Sequence, residues 1–166
     1  MTRLAEVVAA ADPALASHAV SEPGPGRFDD MEGVRGFVLE AVYEGYLLHY
    51  GRPRLFSPED QDAALLLGDY LYAHGLVRIE EVGTVEAVSD LAELIALCAY
   101  LRAEDIAGDG PVGAATAATL GRGELDEGRS SLRLDNDPSP LERLARARAG
   151  DAAVDSSLAT HRGRLR

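Results

Sequence analysis

The sequence predicts an all-α protein, a small helical bundle with a flexible C-terminal tail. Three observations lead there. Ala and Leu dominate the composition while aromatics make up only 5% and Trp is absent, which favours helix over sheet. Apolar residues recur every three to four positions over long stretches. Several of those stretches begin and end on residues that start and stop helices.

The elements follow in order. Residues 2–20 read as a short N-terminal helix with an interruption at Asp12-Pro13. SEPGPGR (21–27) is a connector, because two prolines and two glycines in seven residues resist regular structure. From Asp29 to Tyr50, Val34, Phe37, Val38, Ala41, Gly45 and Leu48 keep helical spacing. A third helix should run over 58–82, with Ser57 as its cap and Pro58 in its first turn. Gly83 ends it and Thr84 caps a fourth, whose apolar positions continue through Val88, Leu91, Ile95 and Cys98 to Leu101. After Asp105 the chain turns rich in Gly, Ala, Asp and Ser, which predicts a flexible linker over 107–138. Ser139-Pro140-Leu141-Glu142 resembles a capping box opening a last short, Arg-rich helix or disordered tail over 139–166. The predicted organisation is a helical domain at 1–106, a linker and a tail.

The 58–82 helix is the most informative stretch. Plotted at 100° per residue, Leu66, Leu67, Tyr70, Leu71 and Val77 form a wide apolar face. Ala64, Gly68 and Gly75 form a narrow stripe of small residues, and such a groove lets another backbone come close. Asp62, Asp69 and Glu80 lie along one polar edge. This helix is apolar almost all round, so Ala64, Gly68, Tyr72 and Gly75 are candidate interface residues, including for a second subunit.

Composition narrows the function. The 28 acids against 16 bases leave a net charge of −12, which disfavours binding a phosphate backbone, and so nucleic acid. Every base is Arg, so no lysine is present for a Schiff base or a phosphate clamp. The single Cys98 forms no internal disulfide and reads as an inert core thiol. The acid-bearing N-terminus makes a poor signal peptide, and no apolar run is long enough for a membrane span. A cytoplasmic protein is expected. His18, His49, His74 and His161 have no metal-ligand spacing. The terminal arginines from Arg143 to Arg166 read as a solvated tail or a contact for an acidic partner.

One resemblance sharpens this picture. Gly51-Arg52-Pro53, a gap of fourteen residues, and then Gly68-Asp69-Tyr70 within LLGDYLYA resemble the trans-type polyprenyl diphosphate synthases, whose pattern is DDxxDxxxxRRGxP followed by LLGDYLLA. The similarity runs over roughly 36–105. It implies part of the isoprenoid synthase fold, an all-helical arrangement in which aspartates hold Mg²⁺ against an allylic diphosphate. In this sequence the DDxxD positions fall on Glu40-Ala41-Val42-Tyr43-Glu44, and the RR pair falls on His49-Tyr50. The resemblance therefore implies Glu40 and Glu44 as metal candidates and Arg52 and Arg54, nearby, as diphosphate candidates. Without it, the glutamates read as a solvated helix edge. A second acidic motif is missing after residue 105. This resembles the small non-catalytic component of two-component prenyl synthases: no catalytic residues, no cofactor unless the degenerate motif holds Mg²⁺, and a homo- or hetero-oligomer with a catalytic prenyl synthase chain as one partner. A residual Mg²⁺-dependent prenyl diphosphate binder or transferase, and an unrelated helical adaptor, are the competing readings.

Overall fold

A central helix, α3 (Gly33–Tyr50), organises the first half of the chain, and every residue from Gly36 to Leu48 is buried. A helix this apolar on all sides must be covered all round. In the computed structural model, which describes residues 3–166, the cover comes from α1 (Arg3–Ala10), from α4 (Gln61–Arg78) and from a 3₁₀ turn at Ile79–Val82 that continues α4. A short helix α2 (Pro13–Ala16) follows the predicted break at Asp12-Pro13, and Thr2 of the predicted N-terminal helix lies outside the described residues. The remaining helices are α5 (Val85–Ala103), α6 (Asp109–Thr119), α7 (Asp126–Asp135), α8 (Ser139–Ala149) and α9 (Asp151–Arg162). The fold is all-α, and the described residues hold no β-strand beyond two isolated bridges. Among them no helix is long and apolar enough to cross a membrane.

The chain divides into two compact units, Met1–Val82 with Arg164–Arg166, and Gly83–Gly163. The boundary therefore falls at Gly83 rather than after residue 106. Gly83 adopts φ +78, a conformation that costs glycine little, and Thr84 caps α5 by accepting from the Ala87 amide at 3.2 Å. Asp60, not Ser57, caps α4, accepting from the Ala63 amide at 2.8 Å.

In the first unit α3 and α4 make the closest pair, and glycines set their approach. A methyl group at Gly45 would lie 3.0 Å from the Gly68 carbonyl oxygen, and one at Gly68 would lie 3.2 Å from that of Gly45. The small-residue stripe of α4 is therefore filled by α3 of the same chain. The wide apolar face read from the sequence divides in two: Leu67 and Leu71 are buried, whereas Leu66 and Val77 point to solvent.

The second unit corrects the linker at 107–138. Its α6 and α7 are helices with their own buried residues, among them Val112, Ala115, Thr116 and Leu132, and α6 packs on α8 and α9. Small residues here serve packing: a methyl at Gly128 would lie 2.6 Å from Leu141 Cδ2. The tail at 139–166 is likewise helical over α8 and α9, with Leu141, Ala145 and Val154 buried. The capping box is not formed, since the Ser139 amide donates instead to Asp137 Oδ1 at 2.9 Å.

Candidate functional site

Glu40 and Glu44 lie one turn apart on α3, so helical geometry puts both carboxylates on one side. Both are fully buried, which removes the reading of a solvated edge. Burying two carboxylates requires compensation, and Arg54 supplies it. Its guanidinium donates to Glu40 Oε1, and its Nε stands 3.4 Å from Glu44 Oε2.

The remaining carboxylate oxygens bind backbone. Glu44 Oε1 accepts from the amides of both Arg54 and Leu55 at 2.6 Å, and Glu40 Oε2 accepts from the Phe28 amide at 2.8 Å. The two glutamates thus fasten two irregular segments to α3, the one before it and the one after it. The 51–57 segment is further held by an antiparallel bridge between Ala19 and Phe56 and by one between Gly51 and Leu165. Gly51 is needed there because a methyl would meet the Arg164 carbonyl oxygen at 2.8 Å.

Aromatic and cationic groups close the cluster. Tyr43 has Arg27 over its ring at 4.4 Å and Arg54 at 5.0 Å. Burial pushes the Tyr43 phenol above its ordinary range. Burial also pushes the Glu44 carboxyl up, against the pull of Arg54 and the two loop amides. Burial alone would lower the Arg54 guanidinium, but Glu40 and then Glu44 outweigh it and hold the group charged.

The predicted site residues separate clearly. Glu40, Glu44 and Arg54 come together, while Arg52 is exposed and its amide donates to the Arg164 carbonyl at 2.8 Å. Two carboxylates already bound to a guanidinium and three amides do not suit Mg²⁺, a hard cation that needs several free oxygens. Among the described residues no group of three or more His, Cys, Asp or Glu could hold a metal. Ala64, Gly68 and Gly75 are buried and Tyr72 stacks on His49 at 5.2 Å, so the small-residue stripe gives a helix contact within the chain rather than a free surface. Beside α4's first turn a cleft of about 480 Å³ is lined by Leu48, His49, Phe56, Ala64, Leu65 and Arg166 among others.

Sequence reasoning missed the second unit's buried polar centre. Asp90 accepts from Arg129 Nη1 at 3.0 Å and from the Gly121 amide at 2.8 Å, and Arg129 Nη2 donates to the Asp90 carbonyl at 3.1 Å. One signal was available: Asp90 falls on the buried line of α5 with Ala87, Leu91, Leu94 and Leu97. A charge in such a line needs a partner. Its partner lies 39 residues away, which no local pattern reveals. Two of the C-terminal arginines are engaged: Arg146 reaches Glu142 and Asp155 at 2.7 Å and Asp151 at 3.3 Å, and Arg148 pairs with Glu124.

Comparison with protein-family models, curated proteins and solved structures gave no match to the chain.

Proposed function

We propose that this chain is a non-catalytic helical subunit of the polyprenyl-synthase kind that acts in the cytoplasm by associating with another chain. The observation that carries this reading is the closed state of the acidic cluster. Of the residues that the resemblance assigns to Mg²⁺ and diphosphate, Glu40, Glu44 and Arg54 bind each other and the loop backbone instead, and Arg52 lies outside the cluster. Ionisation of an allylic diphosphate needs opposed charge stabilisation, and a neutralised, buried cluster offers none. With the chemistry removed, association is the remaining role, and a catalytic prenyl synthase chain is the partner that the resemblance points to.

Two measurements test the reading. Titration calorimetry of the pure chain with an allylic diphosphate and Mg²⁺ should give no binding, and labelled isopentenyl diphosphate should not be incorporated. Purification from the native cell should bring down a synthase chain in fixed proportion. Saturable Mg²⁺-dependent binding that disappears in Glu40→Gln would overturn the proposal in favour of a residual prenyl diphosphate binder.

A further inference from the structure

The chain returns to the first unit at Arg164, and residues 164–166 lie along the 51–52 edge of that unit as a short antiparallel strap. The Arg164 carbonyl accepts from the Arg52 amide at 2.8 Å, and Leu165 bridges Gly51. Arg166 continues into the cleft beside the first turn of α4.

The seat of this strap is held more firmly than the strap. Arg164 and Leu165 are half-buried and Arg166 is exposed, so little apolar surface secures them. The seat is fastened by other parts of the unit. Glu44 binds the Arg54 and Leu55 amides, the Val20 amide donates to the Leu55 carbonyl at 2.7 Å, and the Ser57 amide donates to the His18 carbonyl at 2.8 Å. Release of the strap therefore takes no core from the unit and leaves a formed backbone edge at Gly51 and Arg52. Such an edge binds an extended segment through main-chain hydrogen bonds.

The strap itself shows which segment fits. It places one apolar residue, Leu165, between two arginines. Arg166 shares its cleft with Asp60, and Glu59 and Asp62 stand exposed beside Asp60 in the chain. These acids favour a basic segment over an acidic one.

We infer that residues 164–166 occupy in cis the docking edge for a partner's extended segment, an apolar residue flanked by Arg or Lys. This rests on the association reading above and names where the partner attaches. The strap is then an autoinhibitory contact. A tethered segment competes at an effective concentration on the order of millimolar, so a partner's segment binds only as far as the strap releases.

The test uses the full chain and two labelled hexapeptides, HRGRLR, which repeats residues 161–166, and HEGELE. In anisotropy titrations HRGRLR should bind the parent weakly and Leu165→Asp about tenfold more tightly or better, because that variant loosens the strap and keeps the edge. Its affinity should fall as salt rises, and HEGELE should not bind. Gly51→Ala should bind neither peptide while keeping its helical circular dichroism, since the added methyl fills the space of the Arg164 carbonyl. In the parent, the Arg52 amide should exchange by local opening, ahead of the Leu55 and Ser57 amides. Exchange of all three together would mean that the strap does not release, and would overturn the inference. Equal affinity for both peptides, equal affinity of parent and Leu165→Asp, or no binding up to millimolar concentration would do the same. These comparisons still decide if Gly51→Ala fails to fold. A dimer of the parent that Leu165→Asp converts to monomer would put a second copy's strap on the edge and overturn the partner's segment as its occupant. A native partner that stays bound to folded Gly51→Ala would overturn this edge and leave the association reading standing; the absence of any partner would overturn that reading itself.

Discussion

Gly68 shows how one missing side chain decides a helix pair. Its Cβ would lie 2.5 Å from His49 Nε2 and 3.2 Å from the Gly45 carbonyl oxygen. The imidazole cannot simply turn away, because it stacks on Tyr72 at 5.2 Å with an interplanar angle of 6°. The carbonyl belongs to α3 and is fixed. Gly68→Ala gains about 1 kcal/mol of helix propensity. Overpacking typically costs about 1–3 kcal/mol, so the variant should be less stable in a denaturant melt. Gly68→Leu should be worse. Asp69→Asn should change stability by less than about 0.5 kcal/mol, since that carboxylate is exposed. A Gly68→Ala protein more stable than its parent would mean that α3 and α4 do not approach as described.

At the scale of the element, the buried glutamates of α3 act as fasteners for the segments that flank it. Arg54→Ala would leave two buried carboxylates without their cation, and breaking such a pair costs about 3–5 kcal/mol. Glu44→Gln should cost less, because an amide oxygen can still accept from Arg54 and Leu55. Its pH signature has a definite sign. Burial raises the Glu44 carboxyl in the folded state, so its contribution is fully present below the ordinary glutamate range. That contribution is lost as pH rises from there through the folded value. Glu44→Gln should therefore flatten the fall in stability across this window, read from denaturant midpoints at successive pH values. An unchanged slope would mean that Glu44 titrates normally. The sequence made the helical stretches of the first 103 residues legible but not these fasteners. The start of α5 and the Ala64–Gly68–Gly75 groove were readable because capping and helical period are local signals, whereas α4 starts at Gln61 under Asp60 rather than under Ser57. Which helix would fill that groove was not readable, and neither was the burial of Glu40 and Glu44. Both depend on Arg54 and the loop backbone, which a periodic reading of α3 does not contain.

At the scale of the whole molecule, the largest difference between sequence and structure is the segment after Asp105. Gly-, Ala- and Asp-rich composition signals flexibility when nothing covers it. The same composition also builds a helix that packs closely, as at Gly110, where an added methyl would lie 3.1 Å from Leu158 Cδ2 and 3.2 Å from His161 Cδ2. The deciding contacts come from α8 and α9, which lie further along the chain. Hydrogen exchange separates the two cases directly. A linker over 107–138 would exchange at the rate of an unstructured peptide. In the folded second unit, the amides of α6 and α7 should open only with the larger transition that releases α5 and α8. Asp90 provides the control. Its carboxylate ties α5 to the Gly121 amide after α6 and to Arg129 on α7, so Asp90→Ala strands a buried guanidinium. The loss should be about 3–5 kcal/mol, and it should appear as a common drop in protection across α5, α6 and α7 rather than at α5 alone. Unprotected α6 amides in the parent chain would restore the linker. A drop confined to α5 in Asp90→Ala would mean that residues 83–163 do not open as one cooperative unit.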